Sequence, residues 1–127
     1  MMVLDTDVLI EVFDKRSIRG DEALNKILAS GEDIAITSIS LHEILYGLWK
    51  YAKPVREVLL LPVLEYTRRD AELSAEMELK AEQMGTPIRR TDAMIAAMTL
   101  NRGGVLYTFD LRHFTPLKSF GLKLYPE

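Results

Sequence analysis

Short apolar runs alternate with longer segments whose apolar positions recur at helical spacing. Met2 to Leu4 is a brief apolar run that stops at Asp5, the pattern of a fully buried strand. Val8 to Phe13 reads as helix with Glu11 outward. Asp21 to Leu28 reads as a second helix, capped by Asp21 after Gly20, with Ala23, Leu24, Ile27 and Leu28 inward. Ile34 to Thr37 is β-like, and Ser40 opens a helix carrying Ile44, Leu45, Leu48 and Trp49 that Pro54 breaks. Val55 to Leu61 adds a turn or two of helix, and Val63 to Tyr66 a strand. Asp70 caps a long helix to Met84, closed by Gly85. Its apolar positions, Leu73, Met77, Leu79 and Met84, are sparse and predict one wet side. The next helix, capped by Thr91 or Asp92, is apolar nearly all round from Ala93 to Met98, which predicts a central, closely packed element. Arg102-Gly103-Gly104 ends it, Val105 to Thr108 is a strand, and Leu122 to Leu124 is a weak last one.

Strands and helices in alternation predict a parallel sheet with helices on both faces. The expectation is a three-layer α/β/α fold with a central parallel sheet of four or five strands, residues 1–127 forming one domain. In open sheets of this kind ligands bind beyond the strand C-termini, where the strand order reverses. Asp5, Thr37 and Thr108 fall at such ends, and Asp110 follows just after.

Composition narrows the chemistry. A net charge of -3 weighs against a protein that coats nucleic acid through a basic face. The absence of cysteine removes disulfides, thiolate catalysis and cysteine-ligated metals. Met1-Met2-Val3-Leu4-Asp5 lacks the basic start of a secretory signal, and no apolar run approaches the ~20 residues that cross a bilayer. The expectation is a cytoplasmic protein with no membrane partner.

The carboxylates carry the strongest chemical signal. Two of them ~6 Å apart repel by roughly 3 kcal/mol at an effective dielectric near 20. A buried group of four therefore needs a cation or bound protons. Asp5, at the end of a buried strand, points to a cleft at the sheet edge, with capping of the next helix as the alternative. Asp7, two residues on, either reaches the same cleft or caps that helix. Glu43 fits a capping box with Ser40 as well as a metal ligand one turn into a helix. Asp92 reads as a cap or a ligand, and Asp110 as a turn cap or a ligand. Thr6 and Thr108 stand beside these acids, and a bond from Thr108 to Asp5 would orient its carboxylate. Arg89, Arg90 and Arg112 are phosphate-binding candidates or solvated surface charges, and Lys50 and Lys53 are weaker ones. His42 reads as outward-facing and His113 as a candidate substrate contact.

These fragments together resemble a PIN-domain ribonuclease of the kind that forms the toxin of VapBC toxin–antitoxin pairs. The resemblance runs from Val3-Leu4-Asp5-Thr6-Asp7 through Thr37 to Gly47, with Glu43 inside it. It continues through Gly85 to Ile88, Asp92 to Ala97 and Leu106 to Phe114, and reaches Gly121 to Leu124. It implies Asp5, Glu43, Asp92 and Asp110 as catalytic acids around Mg²⁺ or Mn²⁺, Thr108 as the orienting hydroxyl, and Asp7 as accessory. It further implies cleavage of RNA, often transfer or ribosomal RNA, to a 5′-phosphate and a 3′-hydroxyl. A homodimer and a small VapB-like antitoxin are the implied partners.

Three other readings compete. An aspartyl-nucleophile phosphatase also opens with Asp-x-Asp after a strand, and Thr37, Lys80 and Asp110 loosely fill its other slots. A non-catalytic binding module would use Ile44, Leu48 and Trp49 for contacts. An RNA-processing nuclease that is not a toxin would share the same acids.

Overall fold

The computed structural model describes residues 1–126. Five strands form one parallel sheet: β1 (Met2–Leu4), β2 (Ile34–Thr37), β3 (Val63–Leu64), β4 (Val105–Tyr107) and β5 (Lys123–Tyr125). Their order is β3-β2-β1-β4-β5, so the sheet winds outward in both directions from β1. Val3 and Leu106 are fully buried, because layers of helix cover both faces.

One face carries α1 (Thr6–Leu9), α2 (Ile18–Ser30), α3 (Ser38–Lys50) and α4 (Arg56–Leu59). Their core joins Val8, Leu9, Ile27, Ile44, Leu48 and Val58 to Met2, Leu4 and Ile36 of the sheet. The opposite face carries α5 (Arg68–Gln83), α6 (Arg90–Asn101), α7 (Leu111–Phe114) and a 3₁₀ segment, Thr115–Phe120. Its core centres on Ala93, Ile95, Ala96 and Ala97, packed on Val3, Met77 and Leu106. The layers and the five parallel strands are those expected from the sequence.

Several local expectations are corrected. The first helix starts at Thr6, two residues early, and continues as a wider π turn, Ile10–Asp14, closed by Lys15 N–H on Ile10 O at 2.8 Å. Ser17, not Asp21, caps α2 by accepting from Gly20 N–H at 3.0 Å. Gly20 crosses the π turn so closely that a Cβ there would lie 2.2 Å from Glu11 O. Leu24 and Leu28 are exposed, because only Ala23 and Ile27 of α2 face the sheet. Thr67 caps α5, and Asp70 completes the capping box from inside the helix. Arg89, without a side-chain bond, holds the cap position of α6, which leaves Thr91 and Asp92 in its first turn. β3 and β4 end earlier than predicted, at Leu64 and Tyr107, and β5 is shifted to Lys123–Tyr125.

Asp70 also ties the two helices of that layer together. Its oxygens accept from Arg102 at 3.0 and 3.1 Å and from Asn101 at 2.9 Å. Burial pushes its carboxyl up, but the bonds from Arg102, Asn101 and Thr67 outweigh that and hold it at about 2.

Candidate active site

The sheet reverses direction between β1 and β4, and the polar residues that follow these two strands meet there. Asp5 N–H donates to Tyr107 O at 2.9 Å, extending the pairing one residue past β1. Asp5 is both cap and cleft residue. Its Oδ1 accepts from Thr6 N–H at 2.9 Å, and its Oδ2 accepts from the Thr108 hydroxyl at 2.9 Å. Asp7 Oδ2 accepts from Phe109 N–H at 3.1 Å and lies 3.3 Å from the same hydroxyl. Thr108 Oγ1 in turn accepts from Asp110 N–H at 3.0 Å. One hydroxyl thus fixes the spacing of three acidic residues. It has a single proton, so it satisfies Asp5 or Asp7 but not both at once. Asp7 Oδ1 is buried without any hydrogen-bond partner.

Burial, and then the neighbouring Asp7 charge, push the Asp5 carboxyl up to about 7 against the opposing pull of Thr108 and the Thr6 amide. Asp7 is also raised, chiefly by burial. The pair is short of positive charge.

Glu43 arrives from α3. That helix begins at Ser38 with Thr37 as its cap, which accepts from Ser40 N–H at 3.0 Å. The early start takes the Ser40 amide away from Glu43, so the predicted capping box does not form. Glu43 Oε1 accepts instead from the Thr6 hydroxyl at 2.7 Å, and that hydroxyl lies 3.0 Å from Ser40 Oγ. Asp92 comes from the first turn of α6 and is 5% exposed. Its Oδ2 accepts from Arg89 Nε at 2.8 Å and lies 2.9 Å from His113 Nε2. Asp110 caps α7, accepting from His113 N–H at 3.3 Å.

Asp5, Asp7, Glu43, Asp92 and Asp110 line one cleft of about 230 Å³, together with Thr6, Arg89 and His113. Arg90 is not there. One residue of helix turns it some 100° from Arg89, and both its nitrogens reach Glu78 of α5 at 3.1 Å. Arg112 is exposed and does not line the cleft, and His42 faces outward. Lys80 lines a separate depression with Glu76 and Phe120, so no lysine stands beside Asp5 as an aspartyl phosphatase would need. Sequence reasoning overlooked the buried Ser40 hydroxyl and the Phe109 amide. The signal for the first was the hydroxyl-rich Thr37-Ser38-Ile39-Ser40 at a strand end.

Among the described residues no three Asp, Glu or His side chains converge closely enough to hold an ion as they stand. The donor set nevertheless fits a hard divalent cation. It is all carboxylate oxygen, it carries excess negative charge, and Asp7 offers a buried oxygen with no other partner.

Residues 2–116 match the PIN domain. The chain belongs to the PIN-domain family. This PIN domain is related to the VapC toxins. It is 26% identical to ribonuclease VapC2 of Haemophilus influenzae over 119 residues, 88% of each chain. It is 33% identical to the tRNA(fMet)-specific endonuclease VapC of Salmonella typhimurium over 88 residues, 64% of this chain and 67% of that one. DNA-bound VapBC from Salmonella typhimurium superposes with a TM-score of 0.76 at 28% identity, covering 97% of this PIN domain and 95% of that chain. FitAcB from Neisseria gonorrhoeae shares the fold, with a TM-score of 0.79 at 20% identity over 98% and 96% of the two chains. Membership among these ribonucleases implies that this PIN domain is a nuclease. No described helix is long and apolar enough to cross a membrane.

Proposed function

We propose that this PIN domain is a Mg²⁺- or Mn²⁺-dependent ribonuclease, the cytoplasmic toxin of a toxin–antitoxin pair that acts on transfer or ribosomal RNA. The observation that carries the reading is the meeting of five carboxylates in one cleft at the switch point of the sheet. Asp5, Glu43, Asp92 and Asp110 are the residues that would hold the ion, with Asp7 accessory. Bound there, the cation supplies Lewis acidity toward a phosphoryl oxygen and lowers the pKa of a water. The chain's own contribution is orientation. Thr108 and the Thr6 amide aim Asp5, the Thr6 hydroxyl aims Glu43, and His113 and Arg89 both grip Oδ2 of Asp92, leaving Oδ1 for the cleft. Arg89 is also placed to meet a substrate phosphate beside the acids. The relatives named as VapBC complexes support a VapB-like antitoxin and a homodimer as partners.

The test is incubation of antitoxin-free protein with total RNA under Mg²⁺, Mn²⁺ or EDTA, beside Asp5→Asn. Discrete fragments that need the metal and vanish in the variant are expected. Undiminished cleavage in EDTA, or in Asp5→Asn, would remove the metal-dependent reading.

A further inference from the structure

A shallow track leaves the acid cleft along α1 and α2. Asp7 and Ile10 line both the cleft and a second depression of about 220 Å³. Arg19 and Phe109 line that depression and a third of about 240 Å³, which reaches Lys26. The three are continuous through shared walls.

The cations on this side divide into two groups. Lys15 pairs with Glu11 at 3.8 Å, Arg16 with Glu57 at 3.1 Å, and Lys53 with Asp14. Arg19 and Lys26 are exposed and make no ion pair among the described residues. Glu22 lies between them in the third depression, which leaves that depression with one net positive charge. Arg19 is held in place differently, with its guanidinium carbon 3.9 Å from the centroid of the Phe109 ring. A guanidinium fixed on an aromatic ring keeps its outer plane free, and such planes stack unpaired RNA bases. Phe109 is also the residue whose amide fixes Asp7, so this platform is rigidly coupled to the acids.

A strand crossing an acidic cleft needs its flanking phosphates held outside the repulsive zone. We propose that the α2 track holds the single-stranded RNA segment flanking the cleavage site: Arg19, backed by Phe109, stacks a base, and Lys26 holds a phosphate beyond it. This rests on the ribonuclease reading, and it names residues that set affinity along the strand.

The test measures fluorescence anisotropy of a labelled single-stranded RNA oligomer with the full chain in Mg²⁺. All proteins carry Asp5→Asn so that the strand stays uncut. Adding Arg19→Gln with Lys26→Gln is expected to weaken binding roughly tenfold and to flatten the slope of log affinity against log salt by roughly 1.4. Arg69→Gln with Lys118→Gln removes equal charge from the opposite layer and is expected to change neither. Unchanged RNA binding in the first pair, or an equal loss in both, would overturn the track. So would an acidic peptide that outcompetes RNA and depends on the same two residues. Loss of binding in the first pair, with no RNA cleaved by the wild type, would keep the track and sink the ribonuclease reading instead.

Discussion

Asp5 shows how one residue can be costly to the fold and central to the site. A carboxyl raised to about 7 resists ionisation in the folded state, whereas the unfolded chain ionises near 3.8. Folding therefore takes up a proton between those values, and the Asp5 contribution to metal-free stability falls as pH rises through that window. Asp5→Asn removes the penalty. In EDTA at pH 8 it is expected to stabilise the protein by about 2–4 kcal/mol, read as a higher melting temperature, while abolishing cleavage. A variant less stable than the wild type under those conditions would contradict the electrostatic account. Thr108 is the complementary case. Thr108→Val keeps the shape but removes the hydroxyl shared by Asp5, Asp7 and the Asp110 amide. The expected result is a loss of about 1–3 kcal/mol in urea unfolding and a higher Mg²⁺ concentration for half-maximal cleavage.

Elements deliver these residues through contacts that sequence patterns only partly reveal. The strand end at Asp5 is legible because an acid abruptly stops an apolar run. The start of α3 is not, because Thr37 serves as both the last strand residue and the helix cap. That overlap moves Glu43 from a local capping role to a bond across to Thr6. Exposure of Leu24 and Leu28 is likewise hidden from periodicity, since α2 leans on the π turn at Gly20 and touches the sheet along a narrower stripe. Gly20→Ala would drive a methyl into the Glu11 carbonyl, a backbone atom with little freedom to retreat. It is expected to cost about 1–3 kcal/mol by chemical denaturation. Because the π turn continues the helix that bears Asp7, cleavage should fall as well; full activity in a destabilised variant would mean that α1 is positioned independently of α2.

At the scale of the whole molecule, two acids of opposite tendency shape the response to pH. Asp70, held at about 2, gives stability that is complete above about 3.8 and lost as pH falls toward 2. Asp5 acts above that range in the other direction. Metal-free protein is therefore expected to be most stable near pH 4–5, with the optimum moving toward neutrality when Mg²⁺ is added; melting curves across pH with and without EDTA read this directly. The layered parallel fold is legible from alternation alone, and so is the placement of Asp5 and Asp110 at one sheet edge. The destination of Arg90 is not, because its partner Glu78 lies on another helix and nothing local marks the pair. The bond between Asp5 and Thr108 has a temporal consequence as well. It joins residues 103 positions apart, and Thr108 follows a strand that pairs directly with β1. A ribosome making this chain must release almost all of it before the acids can be assembled, so the emerging polypeptide is harmless to the RNA of the machine that builds it.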